Sequence, residues 1–210
     1  MSRLVTFGDS FTYGHGLEDC WVADKEWPGP NPSNLAWPQL LGDMMGLEVV
    51  NKSMCGYSNI QILREVINFE PLPTDMVMIG WAYALRDCIF SKNIFGVESA
   101  DRFSVWHKKT SLIKKYFDVH NKHDQAVRMG LYMHHAESYL KTKGVRQNQF
   151  CAFHHRWYQV MPSFSSKIEY YIPDPILDHK LDLALDKSHP GPIAHRQAAE
   201  RLYKILNEPK

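Results

Sequence analysis

Short apolar runs separated by longer amphipathic segments set the rhythm of this chain. Arg3–Phe7, Leu47–Asn51 and Met76–Gly80 are each about one short strand long and carry no polar alternation. That pattern belongs to strands covered on both faces. Gln149–Phe153 reads as a fourth strand, and Ile168–Ile172 as a fifth or an edge, closed by Pro173 and Pro175. Between them lie helical patterns. Pro38 fits a first helical turn, Leu41, Met44 and Met45 follow at helical spacing, and Gly46 supplies a stop. Ser58 and Gln61 have capping-box spacing and open a helix that buries Ile60, Leu63 and Ile67, ended by Pro71 and Pro73. Ala126–Lys143 is helical with Gly144 just past its end. A terminal helix over Pro192–Leu206 places Ala194, Ala198, Leu202 and Ile205 on one face. Asp19–Asn34 reads as a surface loop. Residues 82–125 show no clean period and predict helix and loop covering one end of the sheet.

Strands that alternate with helices, through connections too long for hairpins, predict an α/β fold with a parallel sheet covered on both faces. Right-handed crossovers then put all the strand C-termini on one edge, where ligands bind in such sheets. Ser10, Gly56 and the residues after Gly80 all fall just past strand ends, so they are expected at that rim. A chain of 210 residues fits one domain, here 1–210, with a sizeable core.

Composition narrows the partners. The formal net charge of +1 gives no reason to expect nucleic acid or an anionic membrane. The four cysteines have no C-x-x-C spacing, so neither a zinc ribbon nor a redox motif is expected. No apolar stretch approaches the roughly 20 residues of a spanning helix, and no signal peptide is evident. The expectation is a soluble, cytoplasmic protein. Eleven histidines invite a metal reading. However, His134–His135 and His154–His155 are adjacent pairs, which do not face one way on a helix, and H-E-x-x-H is absent. No metal and no cofactor are expected. His15 and His195 read as loop and surface residues. Trp21, Trp27 and Trp37 surround the early loop, where they either line a cleft or pack the loop down.

The candidate chemistry begins at "VTFGDSFTYGHG", residues 5–16, where a strand breaks at a small flexible turn bearing a hydroxyl. Ser10 fits a helix N-cap there, and it also fits a nucleophile. A serine nucleophile needs a base within hydrogen-bond reach and a group that orients the base. "LDKSHPGPIAH", residues 185–195, offers both. Asp186 and His189 lie three apart before the terminal helix, so both can point one way across a turn. Asp186 could accept from one imidazole nitrogen while the other faces Ser10. Asp186 as a helix cap is the competing reading.

"FGDSFTYG", Gly56 in "NKSMCGYSN" and D-x-x-H-P before the last helix together resemble the SGNH/GDSL hydrolases, in the right order along the chain. The resemblance implies a three-layer, flavodoxin-like α/β/α fold with a five-stranded parallel core. It implies Ser10 as nucleophile, His189 as general base and then acid, Asp186 as orienter, and an oxyanion hole from the N–H groups of Ser10 and Gly56. The implied activity is esterase chemistry on a small-molecule or carbohydrate ester. One block departs from the family. Where the family has G-x-N-D, this chain reads "IGWAYALRD", so the oxyanion-donor Asn position holds Ala82. Arg86 is the first candidate replacement, with Trp81 and Asn59 as further candidates, while Asp9 anchors the turn or meets substrate. The missing donor also keeps open a non-catalytic binding or assembly protein on the same fold.

Overall fold

The computed structural model describes residues 2–25, 27–92, 98–104, 111–151, 169, 171–172, 176–177 and 181–208. In chain order the first elements are β1 (Arg3–Gly8), α1 (Ser10–Tyr13), β2 (Trp21–Val22), β3 (Trp27–Pro28), α2 (Trp37–Met45), β4 (Glu48–Asn51), α3 (Asn59–Asn68) and β5 (Met76–Trp81). Then come β6 (Arg86–Lys92), β7 (Glu98–Ser104), α4 (Ser111–Val119), α5 (Lys122–Thr142), β8 (Arg146–Cys151), β9 (Tyr171–Ile172) and α6 (Pro192–Asn207).

The apolar runs become neighbours in one sheet, ordered β4-β1-β5-β8-β9, with every pairing parallel. Counting only those five strands, the order is 2-1-3-4-5, the flavodoxin-like arrangement with its switch point between the first and third. Alternate residues of the central strands face opposite layers. Val5, Phe7, Val77 and Ile79 pack against Ile62 and Val66 of α3 and Met133 and Leu140 of α5. Leu4, Met76 and Met78 face the other way, onto Trp37 and Leu41 of α2 and Ala198 and Leu202 of α6. Burial on both faces is why these strands read as unbroken apolar runs.

Local signals hold where they are local. Gln61 accepts the Ser58 N–H at 3.1 Å, one half of the expected capping box. Gly46 ends α2 in the left-handed region. Other expectations are corrected. Residues 86–92 and 98–104 form an antiparallel two-stranded ribbon, not helix and loop. A second small ribbon, β2–β3, lies within the expected early loop. Strand β8 starts at Arg146, three residues before the expected start, because Gln147 and Gln149 occupy core-facing positions. Their amides donate to the carbonyls of Glu137 and Met133 of α5. Trp37 is wholly buried in the core, not in the early loop, and Trp27 is exposed. His195 is wholly buried, and its Nδ1 accepts the Trp37 N–H at 3.1 Å, so α6 caps the start of α2. The expected strand end at Phe153, the start at Ile168, the stops at Pro173 and Pro175, and His154–His155 lie outside the described residues.

Candidate active site

Three rim segments meet beyond β1 and β5. The first is the turn after β1. Asp9, not Ser10, caps α1: its Oδ1 accepts the Phe11 N–H at 3.0 Å. Ser10 is therefore the first helical residue, its N–H has no acceptor one turn back, and its hydroxyl is left for another partner. The second segment follows β4. Lys52 N–H donates to Thr6 O and Met54 N–H to Gly8 O, which carries the chain alongside β1 to Gly56. Gly56 turns with φ +79°, a conformation open to glycine at little cost. The third follows β5 and joins the others through side chains. Asn59 Nδ2 donates to Ala82 O at 3.2 Å, and Arg86 Nη1 donates to Asp9 Oδ2 at 2.7 Å.

The C-terminal segment reaches this rim as a closed loop. Asp182, not Asp186, caps α6, accepting the N–H groups of Ile193 and Ala194 at 2.9 and 2.8 Å. Leu183 bridges Pro190, and Ala184 N–H donates to His189 O. Between these ties Lys187 adopts φ +59°, unusual for a side chain larger than Asn, and turns Asp186 and His189 toward the same side. Leu185 N–H then donates to Gly16 O at 2.9 Å, docking the loop on the segment that begins with Ser10.

The result is a continuous chain of polar atoms from residues 179 positions apart. Ser10 Oγ lies 2.9 Å from His189 Nε2. On the other side of the ring, His189 Nδ1 lies 2.5 Å from Asp186 Oδ2. Asp186 also accepts the Ser188 and His189 N–H groups, each at 3.1 Å, and the Ser188 hydroxyl at 2.7 Å. Burial pushes the Asp186 carboxyl up. The hydrogen bonds from Ser188 and His189 outweigh it and hold the group well below the usual carboxylate range. An ionised Asp186 only accepts, so His189 Nδ1 carries its proton, Nε2 accepts, and the Ser10 hydroxyl donates. That tautomer can take a proton from a serine as it attacks.

His15 stacks on His189 with ring centroids 4.3 Å apart and planes 28° apart. Burial first, and the neighbouring His189 second, push His15 down to about 4. Among the described residues, His15, Asp186 and His189 form one group whose possible ligand atoms lie within 4.8 Å of one another. Asp186 and His189 already spend their facing atoms on each other, which leaves a poor donor set for an ion.

Two expected site residues are corrected. Trp81 is wholly buried on the α3–α5 face of β5, and its indole N–H donates to Gln149 Oε1 at 2.9 Å, so it faces away from the rim. Asp9 is also wholly buried, with its oxygens accepting from Phe11 N–H and Arg86, so it scaffolds the turn. Asn59 is buried; its Nδ2 donates to Ala82 O, and its Oδ1 has no hydrogen-bond partner among the described residues. Sequence reasoning missed Ser188 and the seat that Gly16 makes for Asp186. The D-x-S spacing of Asp186 and Ser188, typical of a side-chain turn, was a signal for the first. The glycines flanking His15 were a signal for the second.

A parallel sheet of this order, with a serine at the end of its first strand and an Asp-x-x-His loop meeting it, defines an SGNH-type α/β fold. Comparison with known proteins agrees. No protein-family model and no curated protein matches the chain, but solved structures do. A lipolytic protein of the G-D-S-L family from Desulfitobacterium hafniense DCB-2 matches at TM-score 0.54 and 13% identity, over 97% of this chain and 99% of that one. The psychrotrophic esterase EstA from Pseudoalteromonas sp. matches at TM-score 0.57 and 13% identity, over 98% and 99%. The acetyl xylan esterase Est2A from Butyrivibrio proteoclasticus matches at TM-score 0.60 and 11% identity, over 98% of this chain and 63% of that one. The chain has the fold of these lipolytic proteins and esterases along nearly its whole length.

Proposed function

We propose that the protein is a serine ester hydrolase acting on small acyl or carbohydrate esters. The observation that carries this reading is the Ser10–His189–Asp186 chain, with 2.9 Å between Ser10 Oγ and His189 Nε2. Ser10 Oγ attacks the ester carbonyl carbon as its proton passes to His189 Nε2. Asp186 stabilises the imidazolium that forms. His189 then gives the proton to the leaving alcohol, and water, activated by the same ring, releases the acid from the acyl-enzyme. The Ser10 and Gly56 N–H groups receive the oxyanion. Arg86, held by Asp9, supplies the positive charge that Ala82 does not. A small ester is consistent with the esterase neighbours, one of them an acetyl xylan esterase.

Hydrolysis of p-nitrophenyl acetate and butyrate, with covalent labelling by a fluorophosphonate, tests the reading. The wild type turns over and is labelled, and Ser10→Ala loses both. Arg86→Ala loses about 10²–10³ in turnover. Unchanged turnover in Arg86→Ala removes Arg86 from the oxyanion hole and leaves Ser10 in place. The second reading, a binding protein on the same fold, is favoured by Ala82. It takes over if the folded wild type is neither active nor labelled.

A further inference from the structure

We propose that His15 is a positioning residue for His189: its ring, backed by Trp21, lies against the face of the His189 imidazole and keeps that ring in the plane joining Asp186 to Ser10. The consequence for turnover rests on the ester-hydrolase reading; the effect on the ring stands on geometry alone.

The hydrogen bonds of the His189 imidazole to Asp186 and Ser10 lie at its edge, at Nδ1 and Nε2, and neither bears on its faces. Edge bonds leave a tilt of the ring open, and a tilt about Nδ1 swings Nε2 away from the serine. The loop that carries His189 is anchored by Ala184, packed against Leu17 and Ala36, while Leu183 and Leu185 beside it are exposed. The restraint comes from the other end of the chain. His15 covers one face at 4.3 Å and 28°, and Trp21 lies behind it at 5.5 Å and 33°. Phe11 touches the ring at 5.4 Å and 56°. The His15 N–H donates to Ser10 O at 3.0 Å, so the same turn carries both the nucleophile and the brace.

His15 contributes a face and no hydrogen bond from Nε2, which is buried without a partner among the described residues. Its neutrality suits this place. A second cation stacked on His189 would oppose the imidazolium that must form there. His15, pushed down to about 4, is neutral at neutral pH.

The test reads the ring directly and turnover separately, in wild type, His15→Ala and His15→Phe. In wild type the His189 Nδ1 proton, held by Asp186, gives a resolved low-field NMR signal. In His15→Ala that signal broadens or disappears, and kcat falls about 10- to 100-fold with KM nearly unchanged, the cost of a misplaced catalytic group. His15→Phe restores an aromatic face without a ring nitrogen, so the signal and most of the turnover return. A sharp signal retained in His15→Ala overturns the proposal whatever the turnover. So does a folded His15→Phe that behaves like His15→Ala, because the nitrogen and not the face would then matter. If the wild type is inactive and unlabelled by fluorophosphonate, the ester-hydrolase reading fails, and the NMR comparison still decides the role of His15.

Discussion

Ser10, Asp186 and His189 were legible because a hydroxyl after a strand and an Asp-x-x-His turn before a helix are local patterns. What holds them was not, because each support is a contact between distant residues. Gly16 shows the difference. It adopts φ +86°, and a Cβ there would lie 2.7 Å from Asp186 Oδ1. Sequence shows only a glycine in a loop; the carboxylate it seats is 170 positions away. Gly16→Ala should therefore cost about 1–3 kcal/mol, from left-handed backbone in a residue with a Cβ and from displacement of Asp186. Urea unfolding and ester turnover measure the two effects together. A variant of wild-type stability and activity would show that Asp186 has room to move. Arg86 stands out in the sequence for its charge, but its partner could not be read, because Asp9 lies 77 positions away.

Elements were legible in proportion to the apolar periodicity they carry. The apolar strands β1, β4 and β5 and the terminal helix announce themselves. Strand β8 hides its start because Gln147 and Gln149 sit where apolar residues are expected, with α5 carbonyls as their partners. The β6–β7 ribbon hides because it pairs only with itself and adds nothing to the buried sheet. Its first residues are tied instead to other elements: Arg86 to Asp9, Asp87 to Tyr116 and Gln125, and Cys88 to Ser58. The loop before α6 is joined to that helix by one carboxylate, Asp182. Asp182→Ala removes two carboxylate bonds to the first turn of α6 and should cost about 1–2 kcal/mol. Because the same loop carries His189, turnover should fall as well. Thermal unfolding and kinetics check this, and an unchanged Tm would show that the helix end finds other acceptors.

At the scale of the whole molecule, buried titratable groups set the response to acid. His195 joins α6 to α2 inside the core and is pushed down to about 4, chiefly by burial. A histidine lowered from its ordinary 6.5 favours the neutral form in the fold. Its stabilisation is complete above pH 6.5 and is lost as pH falls toward 4, by about 3 kcal/mol over that window. His15 acts in the same direction. Asp186, also lowered, adds its own loss only below the ordinary carboxylate value near 3.8. Urea unfolding between pH 7 and 4.5 should show stability declining with acid, with a shallower decline in His195→Gln. A flat profile would refute the buried neutral imidazole. No helix among the described residues is long and apolar enough to cross a membrane. By itself the sequence determined the layered α/β class, the C-terminal ends of β1, β4 and β5, and the residue types able to do acyl chemistry, since these follow from periodicity and from neighbours a few positions apart. Only the tertiary structure decided that Ser10 meets His189, that Trp81 turns into the core, and that His15 and Gly16 lie against His189 and Asp186. Such contacts depend on how the sheet stacks its loops, and no local pattern in the chain encodes them.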